Sequence, residues 1–115
     1  MEKKPYISLI VPVFNEQENI RNLYYRLVEV VEKISDQYQF EFLFTDNHST
    51  DDTFMILEDL AAKDKRIKVI RLTKNFGFQA SILTGYQNAS GDAAIQIDCD
   101  LQDPPTGSNR VFNTL

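Results

Sequence analysis

Residues 7–13 read Ile-Ser-Leu-Ile-Val-Pro-Val, an apolar, β-branched run without a charge. Its length is that of a strand rather than a helix. Residues 40–45 (FEFLFT), 67–72 (IKVIRL) and 93–98 (AAIQID) share that character. The segments between them carry helical spacing. Ile20, Leu23, Tyr24, Leu27, Val30, Val31 and Ile34 trace one helix face. A second helix is expected over about 50–63, with Phe54, Leu57, Leu60 and Ala61 inward. A third is expected over about 78–89, with Ile82, Leu83 and Tyr86 as its apolar positions. Ser49 and Asp52 look like the start signal of the second helix, and Gly91 suits the end of the third.

The order β-α-β-α-β-α-β predicts an α/β chain with a mostly parallel sheet of about four strands. Ligands of such sheets sit beyond the carboxyl ends of the strands. That rule selects Phe14-Asn15-Glu16, Asp46-Asn47-His48, Thr73-Lys74-Asn75 and Asp98-Cys99-Asp100. Residues 106–115 show no clear periodicity and read as an irregular tail after a unit spanning 1–105.

The chain has 115 residues, 43 % of them hydrophobic and 25 % charged, which is ordinary for a globular unit smaller than a typical domain. Its net charge of −5 argues against nucleic-acid binding, since neutralising phosphates needs a basic surface. One cysteine, Cys99, excludes an intrachain disulfide and fits a reducing compartment. No run approaches the roughly 18 apolar residues of a membrane span, and no cleavage site follows the N-terminus. The chain reads as cytosolic, with a C-terminal anchor in a longer protein left open.

The strongest chemical signal is Asp98-Cys99-Asp100-Leu101-Gln102-Asp103-Pro104-Pro105. Extended alternation puts Asp98 and Asp100 on one side, where like charges repel unless a cation neutralises them. Mg²⁺ or Mn²⁺ would resolve that conflict and bridge to phosphate oxygens, with Gln102 offering a neutral oxygen. The alternative is a solvated acidic turn. At the second strand end, Asp46 and Asn47 are suited to a base edge or ribose, although a simple helix cap would use the same residue types. His48, the only histidine, reads as a surface group. Phe14 could flank a flat base and Glu16 could accept from hydroxyls; Asn15 and Glu16 could equally start the first helix. Arg71 or Lys74 could meet a phosphate, and Lys74 could equally be solvated. Glycine-rich dinucleotide and P-loop signatures are absent, as is a nucleophile elbow.

Taken in order, ISLIVPVFNEQENI, FLFTDNHSTDDT, RLTKNFGFQASILTGYQNASGD and AIQIDCDLQDPP resemble the nucleotide-binding half of the inverting family-two glycosyltransferases. The likeness is greatest to dolichyl-phosphate mannosyltransferases and undecaprenyl-phosphate glycosyltransferases, and covers roughly residues 6–105. It implies a truncated GT-A fold, a Rossmann-like sheet that binds a nucleotide-diphosphate sugar. By position it implies that Pro12, Phe14 and Glu16 line the nucleotide pocket and that Thr45, Asp46 and Asn47 meet the base. Asp98, Cys99 and Asp100 would hold ribose and diphosphate, with Asp100 and Gln102 the leading metal ligands. It further implies a polyprenyl phosphate acceptor for the full-length protein, at the cytoplasmic face of a membrane. The family's aspartate-aspartate-glycine is Asp46-Asn47-His48 here. The acceptor-binding half is expected beyond residue 105, so the 115 residues alone are expected to be inactive. Two alternatives remain: a self-associating, non-catalytic nucleotide-binding module, and a haloacid-dehalogenase-like phosphatase using Asp98. The second is disfavoured because its motif belongs on a first strand.

Overall fold

The computed structural model describes residues 3–99. The chain runs β1 (Tyr6–Val13), α1 (Ile20–Lys33), β2 (Gln39–Asp46), α2 (Thr53–Lys63), β3 (Ile67–Arg71), α3 (Phe78–Asn88) and β4 (Ala93–Gln96). All seven expected elements are present. The strands form one parallel sheet in the order β3-β2-β1-β4. The chain winds outward from β1 to β3 and then crosses back to pair β4 with the other side of β1.

That reversal decides which face each helix covers. Leu9, Val11 and Val13 of β1 and Phe42 and Phe44 of β2 share one face with Ile20, Leu23, Leu27 and Val31 of α1 and Leu57 and Leu60 of α2. The opposite face carries Ser8, Ile10 and Pro12 beside Glu41, Leu43 and Thr45 in register, and α3 covers it. There α3 presents its small residues, with Ser81 and Gly85 buried. A Cβ on Gly85 would lie 2.3 Å from Cγ2 of Ile10, so only glycine lets the helix approach so closely. Leu83 and Tyr86 point the other way and are 56 % and 44 % exposed, which corrects the expected inward face of α3. The small side is the packed side because close approach, not side-chain bulk, fills that layer.

Two end signals also differ from expectation. Asp52 makes no capping bond; Asp51 Oδ1 accepts from the Thr53 N–H instead. Ser49 turns inward to Asp46. Gly91 lies beyond the end of α3 and donates its N–H to Ser8 Oγ, where a Cβ would meet the β1 backbone.

A buried carboxylate fixes β4. Glu41, 1 % exposed in β2, accepts from Ser8 Oγ of β1, from the Ser90 N–H at 2.7 Å and from Lys68 Nζ of β3 at 2.8 Å. Burial pushes its pKa up, but these donors outweigh it and hold the group below the ordinary carboxylate value. Asp92 adds a second tie, accepting from the Tyr6 N–H at 2.8 Å.

A separate pair secures the opposite edge of the sheet, at the start of β3. Asp64 accepts from the Arg66 guanidinium at 2.8 Å and from the Tyr24 hydroxyl at 2.6 Å. The Arg66 bonds hold its carboxyl at about 2, against the opposing push of burial. A depressed folded pKa stabilises above the ordinary value, and that gain is lost as the pH falls toward the folded one. Wild type should therefore lose about 2 kcal/mol between pH 4 and pH 2 through this group. Denaturant titrations across that window should show a flatter profile for Asp64→Asn; equal slopes would exclude the pair as a source of acid sensitivity.

Candidate functional site

The polar loops at the carboxyl ends of the strands are stitched to one another. Asn15, just past β1, has φ +51°, a left-handed conformation that asparagine tolerates better than most residues. Its Oδ1 accepts from the Thr50 N–H at 2.8 Å and the Asp51 N–H at 3.3 Å, and its own N–H donates to Ser49 Oγ at 2.9 Å. The Glu16 N–H donates to Thr53 Oγ1 at 2.8 Å. The β1–α1 loop and the start of α2 are thereby one unit. Glu16 stands in the turn before α1, whose N-cap is Asn19, and its carbonyl accepts from the Asn19 and Ile20 N–H groups.

A cleft of about 700 Å³ opens where the sheet reverses, between the ends of β1 and β4. Pro12, Phe14, Glu16, Asn47, Asp98 and Cys99 all line it, six of the residues expected at the site. Pro12 is paired with Thr45 and lies level with chain beyond the last paired residue of β4, so its missing N–H interrupts no ladder there. Past β4 the alternation continues: Ile97 and Cys99 are buried, Asp98 is exposed, and Asp98 Oδ1 accepts from the Gln96 amide at 3.0 Å. Asp98 thus faces the rim on the same side as Gln96.

The remaining expected residues stand elsewhere. Thr45 lies beneath the cleft, its hydroxyl 2.8 Å from Ser81 Oγ. Asp46 is fully buried; Oδ1 accepts from the Ser49 N–H, while Oδ2 has no hydrogen bond and lies 3.6 Å from Arg71 Nε. Lys74 does not line the cleft, and its ammonium sits over the Phe76 ring, 5.1 Å from the centroid. Arg71 is engaged with Asp46 and the Ser49 carbonyl. His48 is half-buried at φ +62°, and its Nδ1 contacts the Leu72 carbonyl at 3.0 Å. Asp100 and Gln102 lie outside the described residues, as does the tail over 106–115. Asn19, Phe78 and Ser81 also line the cleft and were not singled out from sequence. The signal for Phe78 and Ser81 was their place at the N-terminus of a helix entered from a strand-end loop.

Phe14 and Phe78 give the cleft two aromatic walls, and Glu16, Asn47 and Asp98 give it acceptors. That combination suits a flat heterocycle carrying hydroxyls. Asp98 presents a hard oxygen donor at the rim, which fits Mg²⁺ or Mn²⁺. Among the described residues no group of three or more His, Cys, Asp or Glu could hold a metal ion. None of the described helices is long and apolar enough to cross a membrane.

Residues 8–114 match the family model described as Glycosyl transferase family 2. The chain belongs to that family. It is 36 % identical over 107 residues to an undecaprenyl-phosphate 4-deoxy-4-formamido-L-arabinose transferase of Pseudomonas fluorescens, covering 89 % of this chain and 31 % of the relative. It is 42 % identical over 98 residues to a prophage bactoprenol glucosyl transferase homolog of Escherichia coli, covering 85 % of this chain and 31 % of the relative. Among solved structures, Staphylococcus aureus TarS in complex with UDP is 28 % identical with a TM-score of 0.68, over 83 % of this chain and 27 % of that one. The chain therefore spans about a third of the length of the curated relatives it matches. The parallel sheet with helices on both faces is the GT-A arrangement of these glycosyltransferases.

The Asn15 stitch predicts a graded response. Asn15→Ala loses the acceptor and keeps the left-handed strain, and should cost about 2 kcal/mol in denaturant unfolding. Asn15→Asp keeps an acceptor and should cost well under half of that. Equal losses for the two variants would show that the loop-to-loop bonds contribute nothing.

Proposed function

We propose that this chain carries the nucleotide-sugar-binding part of a glycosyltransferase that moves a sugar from a nucleotide-diphosphate donor to a polyprenyl phosphate, with inversion at the anomeric carbon. The observation that carries this reading is the cleft at the reversal point of the sheet, with Phe14 and Glu16 on one lip and Asp98 on the other. The printed activities of the undecaprenyl-phosphate and bactoprenol relatives, and the UDP complex of TarS, support it.

In this reading Phe14 stacks on the base, and Asp46, buried against Ser49 and Arg71, supports the turn beside the cleft without touching the base. Glu16 accepts from ribose hydroxyls, Asn47 holds the adjoining segment through Asn75 and Phe76, and Thr45 supports the floor from beneath through Ser81. Pro12 and Cys99 shape the floor. Asp98, with Asp100 and Gln102, would hold Mg²⁺ or Mn²⁺, which when bound offsets the charge that develops on the departing diphosphate. Lys74 reaches a phosphate only by leaving the Phe76 ring. A lipid phosphate acceptor is already ionised near neutral pH, so it requires positioning rather than a general base. That positioning belongs to the remaining two-thirds of the relatives' length, and the 115 residues alone should not turn over.

Thermal shift or calorimetry on the 115-residue chain checks this directly. UDP or GDP with Mn²⁺ should raise Tm, either component alone should do less, and Asp98→Ala should weaken the effect at least tenfold in affinity. Sugar transfer by the isolated chain, or a nucleotide shift unaffected by Asp98→Ala, would contradict the proposal.

A second reading, a self-associating nucleotide-binding module, is favoured by α3. Its eleven residues carry no charge, and Phe78, Leu83 and Tyr86 are exposed along it. Such a face fits a second copy of the chain. Light scattering at tens of micromolar should then report a dimer that Leu83→Glu converts to monomer. A monomeric wild type would remove this reading.

A further inference from the structure

The segment between β3 and α3 starts at the half-buried Leu72, and beyond it Thr73, Lys74, Asn75, Phe76 and Gly77 are all exposed. Its position rests on polar bonds from the end of β2. Asn47, 6 % exposed, donates from Nδ2 to Asn75 Oδ1 at 2.8 Å and accepts the Phe76 N–H on Oδ1 at 3.0 Å. Asn75 Oδ1 also accepts the Gly77 N–H at 2.9 Å, closing a tight turn in which Gly77 has φ +96°. His48, one residue on, reaches the Leu72 carbonyl. Directly after Gly77 comes Phe78, which lines the cleft together with Asn47.

The chemistry of position 47 is specific. It must donate and accept at once, which a carboxamide does and an ionised carboxylate does not. Where the family pattern has aspartate, this chain has Asn47, and its donated proton goes to Asn75. We infer that Asn47 and Asn75 are a matched positioning pair that latches the β3–α3 segment and so sets the Phe78 wall of the nucleotide cleft. This rests on the nucleotide reading of the cleft and extends it: Asn47 acts through the segment it holds, and its side chain is committed before any ligand arrives.

Hydrogen exchange and UDP calorimetry with Mn²⁺ on the 115-residue chain test the pair. Asn47→Asp is nearly isosteric but sets a buried carboxylate against the Asn75 oxygen, so it should fold with a lowered Tm, whereas Asn75→Ala, at an exposed position, should fold with little change in Tm. Each single variant should speed exchange at Phe76 and Gly77 and weaken UDP about fivefold to tenfold, the scale of one hydrogen bond. Asn47→Asp with Asn75→Ala should do no worse than the poorer single variant. At acid pH the introduced carboxyl of Asn47→Asp regains an O–H and can donate again, so its affinity relative to wild type should recover. The ratio matters because the neighbouring Glu16, Asp46, His48 and Asp98 are common to both proteins and cancel in it.

Additive losses, unchanged exchange at Phe76 and Gly77, or faster exchange with unaltered UDP affinity would each overturn the pair's role. If wild type fails to bind UDP while exchange at the two amides remains coupled, the nucleotide reading falls and the latch stands.

Discussion

A buried carboxylate holds the geometry of the cleft. β4 is four residues long, sits at the sheet edge and is only partly covered, so its own ladder and packing are weak anchors. Glu41 joins β1, β3 and the turn before β4 through donors from Ser8, Lys68 and Ser90. A charge at 1 % exposure is tolerable only when nearly every lone pair is used, and here it is. The consequence is directional. With Ser90 held to Glu41 of β2 and Gly91 to Ser8 of β1, the register that pairs Ile10 with Gln96 follows, and Asp98 emerges two residues later at the cleft rim. The side chain that places the exposed Asp98 carboxylate is therefore at the far end of the sheet from it.

The reversal of winding explains why the cleft lies where it does. Crossovers that move in one direction stack α1 and α2 on one face; the return to β4 sends α3 to the other. Among the described residues, no crossover fills the gap between the chain leaving β1 and residues 97–99 leaving β4. The loops after β1 and β2, by contrast, lie side by side and bond to each other through Asn15, Ser49 and Thr53. One wall of the cleft is a cross-bonded block and the other is carried by a short edge strand.

Much of this was legible in the sequence. The four apolar runs and three helical stretches mark every element, because buried parallel strands and amphipathic helices write different periods. The face of α3 was not legible by the same logic. Ser81 and Gly85 pack while Leu83 and Tyr86 are exposed, so the bulky residues mark the outer side. Hydrophobic periodicity assumes that bulk seeks the core, and it inverts where a helix must lie close to a strand. Glu41 was hidden for a related reason: in FEFLFT a charged residue between two phenylalanines reads as the solvent position of a strand. Only the presence of α3 over that face makes it interior.

The site residues divide along similar lines. Phe14, Glu16, Asn47, Asp98 and Cys99 follow from the rule that parallel sheets deliver their strand ends to one edge, whereas Pro12 came from the family resemblance. Asp46 and Lys74 followed a different logic, residue chemistry without partners. Ser49 could have capped α2 from sequence, yet it satisfies Asp46, and Lys74 could have met phosphate, yet it rests on Phe76. Short polar side chains have several equivalent uses in a turn, and which one is realised depends on backbone angles. His48 at φ +62° shows this most clearly. The family places glycine there because the turn needs a left-handed residue; this chain accepts the strain with a histidine, whose ring gains a bond to the Leu72 carbonyl. Asn47 and His48 thus both hold the same neighbouring loop, the first through Asn75 and Phe76 and the second through the Leu72 carbonyl.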